Sequence, residues 1–331
     1  MKVLITGGSG FIGSHIVDEA LRRDMEVWVV VRKSTSRRYL QDSCINFIEM
    51  NINSADDVYE KLSSLSFDYV VHAAGVTKCA DENDFFRINT EGTRQLTEGI
   101  LRSGMKLRRF VYLSSLSVYG AIHEEQPYVP IKEEDHPQPN TKYGESKLLA
   151  EKYLDSISGK LPVVVLRPTG VYGPREKDYF MMAKSIKNHV DFSVGYKRQD
   201  ITFVYVKDVV KAVFLAMERG KEGRKYFLSD GNVYQSTTFS NLIREELGHP
   251  WWIRIKSPLF LLKIITTIGE WTGRITGKVT ALNNDKYNIL SQRNWQCDIT
   301  PAVKELGYSP EYDLQRGVKE TIKWYKENKW L

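Results

Sequence analysis

Short apolar runs alternate with longer amphipathic stretches over the first two-thirds of the chain. The apolar runs are rich in Val, Ile, Tyr and Phe, and they predict strands at 2–6, 26–31, 46–49, 69–73, 110–114 and 163–167. Such runs are typical of strands buried on both faces of a parallel sheet. The stretches between them predict helices over 11–23, 55–65, 85–103 and 141–157. Strand and helix in repeated order indicate a doubly wound α/β sheet.

The pattern loosens after residue 170, where prolines interrupt it and tryptophans become frequent. We expect residues 1–170 to form the main domain, completed by about 200–230, in which 203–216 reads as a strand followed by a helix. Residues 171–199 and 231–331 are expected to form a smaller C-terminal lobe that binds the substrate.

Composition narrows the class of protein. The 331 residues carry a net charge of +6 spread along the chain, so nucleic acid is not an expected partner. Three cysteines without a C-x-x-C pair, and six histidines without zinc spacing, predict neither a disulfide framework nor a metal site. There is no apolar run of about 18 residues and no signal-peptide pattern, so we expect no transmembrane span and a cytoplasmic location.

A glycine-rich turn, Gly7-Gly8-Ser9-Gly10-Phe11-Ile12-Gly13, stands between the first predicted strand and the first predicted helix. Such a turn lets the backbone approach a pyrophosphate, whose charge is stabilised at the helix N-terminus. The alternative is an ordinary tight turn, but the position between strand and helix favours a Rossmann-type dinucleotide site.

The end of the second predicted strand distinguishes between coenzymes. An acidic residue there would bind a ribose 2′-hydroxyl, whereas an arginine accommodates a 2′-phosphate. Arg32 occupies this position and Lys33 follows it, so NADP is favoured over NAD. A solvated basic loop is the alternative.

Tyr143 and Lys147 are four residues apart on a predicted helix and therefore share one face. A nearby ammonium would lower the pKa of the phenol from about 10 towards neutral pH. Such a phenol exchanges a proton with an alcohol or a carbonyl during hydride transfer. Ser114, Ser115 and Ser117 lie at the carboxyl end of the fifth predicted strand, the edge where ligands bind doubly wound sheets.

Taken together in this order, several motifs resemble the extended short-chain dehydrogenase/reductases, also described as NAD-dependent epimerase/dehydratases. The motifs are the glycine turn, His72-Ala-Ala-Gly75, Asn89-Thr-Glu-Gly92-Thr93, the Ser115 segment, Tyr143 to Lys147, Leu166 to Pro174, and the segment around Phe203 to Asp208. The resemblance implies that Tyr143 is the catalytic acid/base. It implies that Lys147 binds the nicotinamide ribose and that Ser115 contacts the substrate oxygen.

The same resemblance implies a set of cofactor-binding residues: Gly7, Gly10, Phe11, Ile12, Gly13, Arg32, Asn51, Ile52, Ala73, Ala74, Gly75, Asn89, Tyr143, Lys147 and Pro168. Asn51 stands where many relatives carry an acidic residue that contacts adenine, and its amide both donates and accepts. Relatives often dimerise through helices like those that carry Asn89 and Tyr143, so a homodimer is a further expectation.

The substrate is expected to be hydrophobic. Gly170 stands where sugar-nucleotide enzymes of the family usually carry an asparagine, and Leu116-Ser117 replaces the acidic pair of its dehydratases. Residues 251–271 are heavily apolar, and could line a pocket, form a core helix or lie at a membrane surface.

This C-terminal part resembles the 3β-hydroxysteroid dehydrogenase-like branch. The sequence therefore favours an NAD(P)-dependent oxidoreductase of a secondary alcohol or ketone, sterol-like or otherwise hydrophobic. A nucleotide-sugar 4-epimerase and a non-catalytic NADP-sensing regulator are the alternatives.

Overall fold

The computed structural model describes residues 1–276 and 283–331. The strands are β1 (Lys2–Thr6), β2 (Glu26–Val31), β3 (Asn46–Glu49), β4 (Tyr69–His72), β5 (Arg109–Leu113), β6 (Val163–Pro168), β7 (Gly170–Tyr172), β8 (Val190–Val194), β9 (Asp200–Ile201), β10 (Phe203–Tyr205), β11 (Lys225–Leu228), β12 (Tyr234–Gln235), β13 (Ile253–Ser257) and β14 (Asn294–Trp295). The helices are α1 (Phe11–Arg22), α2 (Ala55–Leu62), α3 (Asn83–Phe85), α4 (Gly92–Arg102), α5 (Lys142–Ser156), α6 (Asp178–Lys187), α7 (Val206–Arg219), α8 (Thr238–Glu246), α9 (Leu259–Thr276), α10 (Asn284–Ser291) and α11 (Leu314–Glu327).

A seven-stranded sheet with the order β11-β6-β5-β4-β1-β2-β3 forms the centre of the fold. Its strands are all parallel, and β1 pairs with both β2 and β4. The predicted α/β doubly wound sheet is therefore confirmed, and the first three predicted strands have the predicted bounds. Because the strand order reverses between β1 and β4, a crevice opens at the carboxyl ends of these strands.

Both faces of the sheet are covered, which explains the continuous apolar runs. Alternate residues of β1 belong to different cores: Val3 and Ile5 pack with Val209 of α7, whereas Leu4 packs with Leu96 of α4. None of these five side chains is more than 1% exposed.

Helix α4 continues a longer helical segment that begins with α3. The two are joined by a π-helical turn, Phe86–Glu91, so the predicted helix over 85–103 starts earlier and is wider in its first part. Asn89 lies in this turn, and the hydrogen bonds of its side chain, described below, tie the turn to two other elements.

The remaining strands form small two- and three-stranded sheets beside the carboxyl edge of the main sheet, and α6, α8 and α11 pack there around Tyr172 and Phe239. Strand β10 leads directly into α7, as the sequence predicts for 203–216, and α7 packs against α1. Within the described ranges, no helix is both long and apolar enough to cross a membrane.

Candidate active site

The glycine turn lies between β1 and α1 and packs against the end of β4. Gly7 has φ 72°, and a Cβ on it would lie 2.5 Å from the backbone nitrogen of Ala74. A Cβ on Gly13 would lie 2.1 Å from the carbonyl oxygen of Gly7. Only glycine therefore fits at these two positions.

Helix α1 begins at Phe11, directly after this turn. Its first turn holds no acidic residue, and the N-cap residue, Gly10, supplies no side-chain acceptor. The N–H groups at the start of the helix are thus left for an anionic ligand. A glycine cradle that ends at an uncapped helix N-terminus fits the pyrophosphate of a dinucleotide.

The other residues expected at the cofactor lie along the carboxyl ends of the strands. Ala73, Ala74 and Gly75 follow β4 beside the glycine turn, and Pro168 ends β6. Phe11 and Ile12 form the first turn of α1, half-buried.

Three expected cofactor contacts, Arg32, Asn51 and Ile52, lie farther along this edge, after β2 and β3. Arg32 follows β2 with its side chain in solvent, and within the described part of the chain its guanidinium forms no ion pair. Asn51 follows β3, where its side-chain oxygen accepts a hydrogen bond from the N–H of Asn53 at 3.1 Å. Ile52, beside it, packs against the sheet core. The side-chain nitrogen of Asn51 has no acceptor within residues 1–276 and 283–331, so it can donate to a ligand.

Helix α5 presents Tyr143 in its first turn. The Thr141 hydroxyl caps the helix by accepting the N–H of Gly144 at 2.9 Å. The Asp285 carboxylate, from α10, accepts the N–H groups of Lys142 and Tyr143 at 3.1 and 3.2 Å. The C-terminal part of the chain thus holds the start of the helix that carries the tyrosine. Sequence reasoning missed Asp285, because nothing local connects it with α5.

Lys147 lies one turn further along α5 and is only 5% exposed. Its Nζ donates to the carbonyl oxygen of Leu113 at 2.8 Å and lies 4.7 Å from the ring centre of Tyr112. Burial lowers the pKa of Lys147 to about 8, against the opposing charge of Glu151. A Cβ built on Gly75 would lie 3.3 Å from this Nζ, so the ammonium borders the crevice.

The expectation that Lys147 lowers the pKa of Tyr143 is wrong for this structure. Burial raises the pKa of Tyr143 to about 12, and only a hydrogen bond with Ser115 opposes the rise. The two side chains share a helix face, but the ammonium is bound to the Leu113 carbonyl and the phenol packs beside Phe85, with 6.2 Å between the ring centres. The phenol is therefore protonated at neutral pH.

The serines after β5 have different roles. Ser115 caps the short turn that follows, since its Oγ accepts the N–H of Ser117 at 3.1 Å, and the same Oγ is the partner of Tyr143. Ser114 points to the other side, and its Oγ donates to Glu151 at 2.5 Å. The structure thus places Ser115 against Tyr143, with Lys147 one helical turn away, and turns Ser114 towards Glu151 instead.

A buried ion pair beneath this place was missed by the sequence reasoning. Glu151, fully buried on α5, pairs with Arg167 of β6 at 2.5 Å, and Arg167 also donates to the Tyr119 hydroxyl at 2.9 Å. A charged residue inside the otherwise apolar run 163–167 was the available signal, because a buried charge requires a partner.

Asn89 connects the loop after β4 to α5. Its side-chain amide accepts the N–H of Val76 at 2.8 Å, donates to the Val76 carbonyl at 3.0 Å, and donates to the Ser146 hydroxyl at 3.0 Å. His72 packs at the end of β4, fully buried between the hydroxyls of Thr6 and Thr93 at 2.6 and 2.9 Å. Burial lowers the pKa of His72 to about 3, so this ring is neutral.

Comparison with known proteins identifies the family. Residues 3–229 match the model of the NAD dependent epimerase/dehydratase family. The chain belongs to this family. It is an NAD(P)-dependent enzyme whose relatives include epimerases, dehydratases and dehydrogenases.

The similar proteins differ in what they act on. A UDP-glucose 4-epimerase of Vibrio cholerae is 28% identical over 97% of this chain and 94% of its own length. A sterol-4-alpha-carboxylate 3-dehydrogenase (decarboxylating) of Candida albicans is 24% identical over 99% of this chain and 98% of its own length.

Among solved structures, dTDP-glucose 4,6-dehydratase DesIV from Streptomyces venezuelae, with NAD and TYD bound, superposes with a TM-score of 0.81 at 22% identity, covering 100% of this chain and 98% of its own. UDP-glucose 4-epimerase from Thermotoga maritima, with UDP-glucose, gives 0.78 at 24% identity and 99% of both chains. At these identities the likeness shows a shared fold.

Proposed function

We propose that this member of the NAD dependent epimerase/dehydratase family interconverts a secondary alcohol and a ketone on a hydrophobic, sterol-like substrate. The observation that carries the proposal is the environment of Gly170. A Cβ built there would lie 2.9 Å from the Tyr179 hydroxyl and 3.3 Å from Cδ1 of Phe203. The place where sugar-nucleotide enzymes of the family usually carry an asparagine is therefore filled by aromatic side chains.

Tyr179 cannot easily move away from Gly170. Its ring stacks on Phe239 with 4.5 Å between centres and an angle of 20°, and it meets the ring of Tyr172 edge-on at 6.2 Å. A packed aromatic wall beside β7 favours an apolar substrate body, since burial of apolar area stabilises a complex by roughly 25 cal/mol per Å².

We propose the following roles for the residues around the crevice. Tyr143, protonated at neutral pH, donates its Oη proton to the ketone oxygen, and Ser115 donates a hydrogen bond to the same oxygen. Lys147 binds the nicotinamide ribose, and the glycine turn with α1 holds the pyrophosphate. The bound coenzyme supplies or accepts the hydride. In the oxidation direction Tyr143 acts as the phenolate, and its Oη takes up the alcohol proton.

We further propose that NADP is preferred to NAD. The exposed Arg32 at the end of β2, with no ion pair among the described residues, supports this choice because its guanidinium is available for a 2′-phosphate.

The second candidate function is nucleotide-sugar 4-epimerisation. It is favoured by the epimerase of Vibrio cholerae among the similar proteins. A diphosphate would need converging cations. Arg175, Lys197 and Arg198 lie in loops suited to this. The two arginines are already paired with Asp18 at 2.8 Å and with Asp200 at 2.6 Å, whereas Lys197 is exposed and forms no ion pair among the described residues. We therefore place this candidate second.

Three wider expectations belong to the same proposal. Residues 171–199 and 231–331 supply the substrate lobe, and its likeness to the 3β-hydroxysteroid dehydrogenase-like branch supports the choice of substrate. The protein works in the cytoplasm, as its few cysteines suggest. A homodimer forms through the helices that carry Asn89 and Tyr143.

A coenzyme-linked assay tests the proposal. The purified protein is incubated with NAD⁺ or NADP⁺ and a panel of 3β-hydroxysteroids and long-chain secondary alcohols, and reduced coenzyme is measured by absorbance. UDP-glucose is incubated in parallel with NAD⁺ and examined for UDP-galactose by chromatography. We expect turnover of a hydrophobic alcohol and no epimerisation. Epimerisation, with no response to any hydrophobic alcohol, would establish the second candidate instead.

A further inference from the structure

The C-terminal lobe turns an apolar helix face towards solvent. Over residues 259–272 of α9 the buried positions are Leu262 and Thr266, at 6% and 0% exposed. Large apolar side chains point outwards instead, each at least 41% exposed: Phe260, Leu261, Ile264, Ile265, Ile268 and Trp271. A helix on the surface of a globular protein normally has the opposite arrangement, with its apolar stripe against the core.

The two-stranded ribbon of β8 and β13 also exposes apolar side chains, and the loop after β8 meets the start of α9 where Tyr196 and Phe260 line one cavity. The strands pair in parallel with Phe192 opposite Ile255, so Phe192, Ile253 and Ile255 share one face, and all three are exposed. The other face carries the ion pair of Asp191 and Arg254 at 2.6 Å. On this other face the Asp191 carboxylate is buried, although Arg254 is exposed, whereas the apolar residues of the first face lie in solvent.

Exposed aromatic residues and lysines border the ribbon and the helix. Trp251 precedes β13, and Tyr196 follows β8 with its hydroxyl donating to the Lys256 carbonyl at 3.3 Å. We call the exposed apolar residues of 192–196, 251–255 and 260–271 the apolar face.

The charges around the apolar face are mostly positive. Segments 190–199 and 251–276 contain six Lys and Arg residues and two Asp and Glu residues. One of the two acids, Asp191, is 1% exposed and paired. Lys197, Lys256 and Lys263 are exposed. A surface that is apolar in its middle and cationic at its border complements a membrane leaflet with anionic lipids.

We propose that this protein binds the surface of an anionic membrane through the apolar face, with α9 lying in the plane of the interface. Trp251, Trp271 and Tyr196 have the amphipathic rings that favour the headgroup region. Lys263 lies within the helix, and no described helix meets the requirements of a span, so α9 lies on the membrane and does not cross it. A second copy of the chain fits less well, since a two-fold contact would bring like charges together.

Vesicle flotation tests the proposal without coenzyme or substrate, so a negative result leaves the proposed reaction untouched. The protein is mixed with vesicles of phosphatidylcholine alone, or of equal parts phosphatidylcholine and phosphatidylglycerol. We expect flotation with the anionic vesicles, weaker flotation with the neutral ones, and loss of binding as salt rises. Absence of the wild-type protein from the anionic vesicle fraction at low salt would overturn the proposal.

Matched variants locate the contact. Ile264→Ser/Ile268→Ser should lower the partition coefficient by about tenfold or more, because it removes two apolar side chains that would enter the acyl boundary. The control, Val129→Ser/Val303→Ser, changes two side chains that are similarly exposed, at 48% and 44%, outside the apolar face, and should leave binding unchanged. Equal loss in both variants contradicts the proposal.

Light scattering tests the alternative that a second copy of the chain covers the apolar face. If the Ile264→Ser/Ile268→Ser variant is monomeric where the wild type is dimeric, and neither floats, the apolar face is a subunit interface and the membrane proposal falls. A thermal melt of each variant confirms that it is folded.

Discussion

Replacement of Glu151 by Gln would break the most deeply buried ion pair of the site. Glu151 is 0% exposed, and its two oxygens accept hydrogen bonds from Ser114 and from Nε and Nη2 of Arg167 at 2.5, 3.1 and 2.5 Å. Lys225 adds a second cation at 3.6 Å. The neutral amide would leave the Arg167 guanidinium, itself 3% exposed, without a counter-charge.

Removal of one partner from a buried ion pair costs about 3–5 kcal/mol of stability. Unfolding entropy near the midpoint is about 2.1 cal/mol/K per residue. For a chain of 331 residues, this cost corresponds to a fall in Tm of about 4–7 °C. The charge of Glu151 also raises the pKa of Lys147, so its loss should shift the ionisation of Lys147 to lower pH.

Differential scanning calorimetry measures the change, with Glu145→Gln as the control. Glu145 lies on the same helix and pairs with Lys142 at 3.1 Å, but both side chains are 45% exposed. An exposed pair contributes about 0–1 kcal/mol, so the control should melt within about 1–2 °C of the wild type. Equal and small shifts in both variants would refute the view that the buried pair is a major source of stability here.

The stability difference between wild type and Glu151→Gln should depend on pH in a direction that the pKa of Glu151 determines. Burial raises the pKa of Glu151, but the Arg167 charge and hydrogen bond outweigh it, and the net shift is downwards from 4.5. A carboxylate whose pKa is lowered on folding stabilises the protein above its unfolded pKa. The stability difference between wild type and Glu151→Gln should therefore be full at neutral pH and shrink below about pH 4.

Three further predictions concern the crevice. Tyr143→Phe should lower turnover by about 10²–10⁴-fold while coenzyme affinity stays nearly constant, because only the transferred proton is lost; turnover within a few-fold of wild type would exclude Tyr143 as the acid. Arg32→Asp should weaken NADP far more than NAD in calorimetric titrations, since repulsion replaces a charge-assisted contact, and equal weakening would make Arg32 a solvated loop residue. Gly170→Asn should cost roughly 1–3 kcal/mol in chemical denaturation by displacing the packed Tyr179, and a variant as stable as the wild type would contradict the aromatic wall.

The local patterns were sufficient for six of the seven strands of the main sheet and for placing the site residues at strand ends, but they missed β11, and the strand predicted after residue 203 pairs with β7 outside the main sheet. The strands are short apolar runs, and parallel strands of one sheet end at a common edge. Residues placed by sequence at the ends of β1, β4 and β5 therefore had to converge there, as Gly7, Ala73 and Ser115 do.

The ionisation of the site could not be predicted in this way. The i, i+4 spacing places Tyr143 and Lys147 on one helix face, but a pKa depends on burial and on competing partners. The Leu113 carbonyl takes the Lys147 ammonium, and desolvation dominates the pKa of Tyr143. The contact of Lys147 with the Leu113 carbonyl and the burial of Tyr143 both arise where α5 packs against the end of β5. The spacing of residues along α5 does not contain this information.

The sequence by itself determined the fold class, the glycine turn and the positions of Ser115, Tyr143 and Lys147, because each depends on short-range periodicity or on a residue type at a strand end. Only the tertiary structure decided how Asp285 reaches the start of α5, how Glu151 finds Arg167, and which face of α9 is exposed. These outcomes depend on contacts between residues distant along the chain. An amphipathic pattern shows that a helix has an apolar side. Whether that side faces the core or the solvent depends on which side of the helix the rest of the protein packs against.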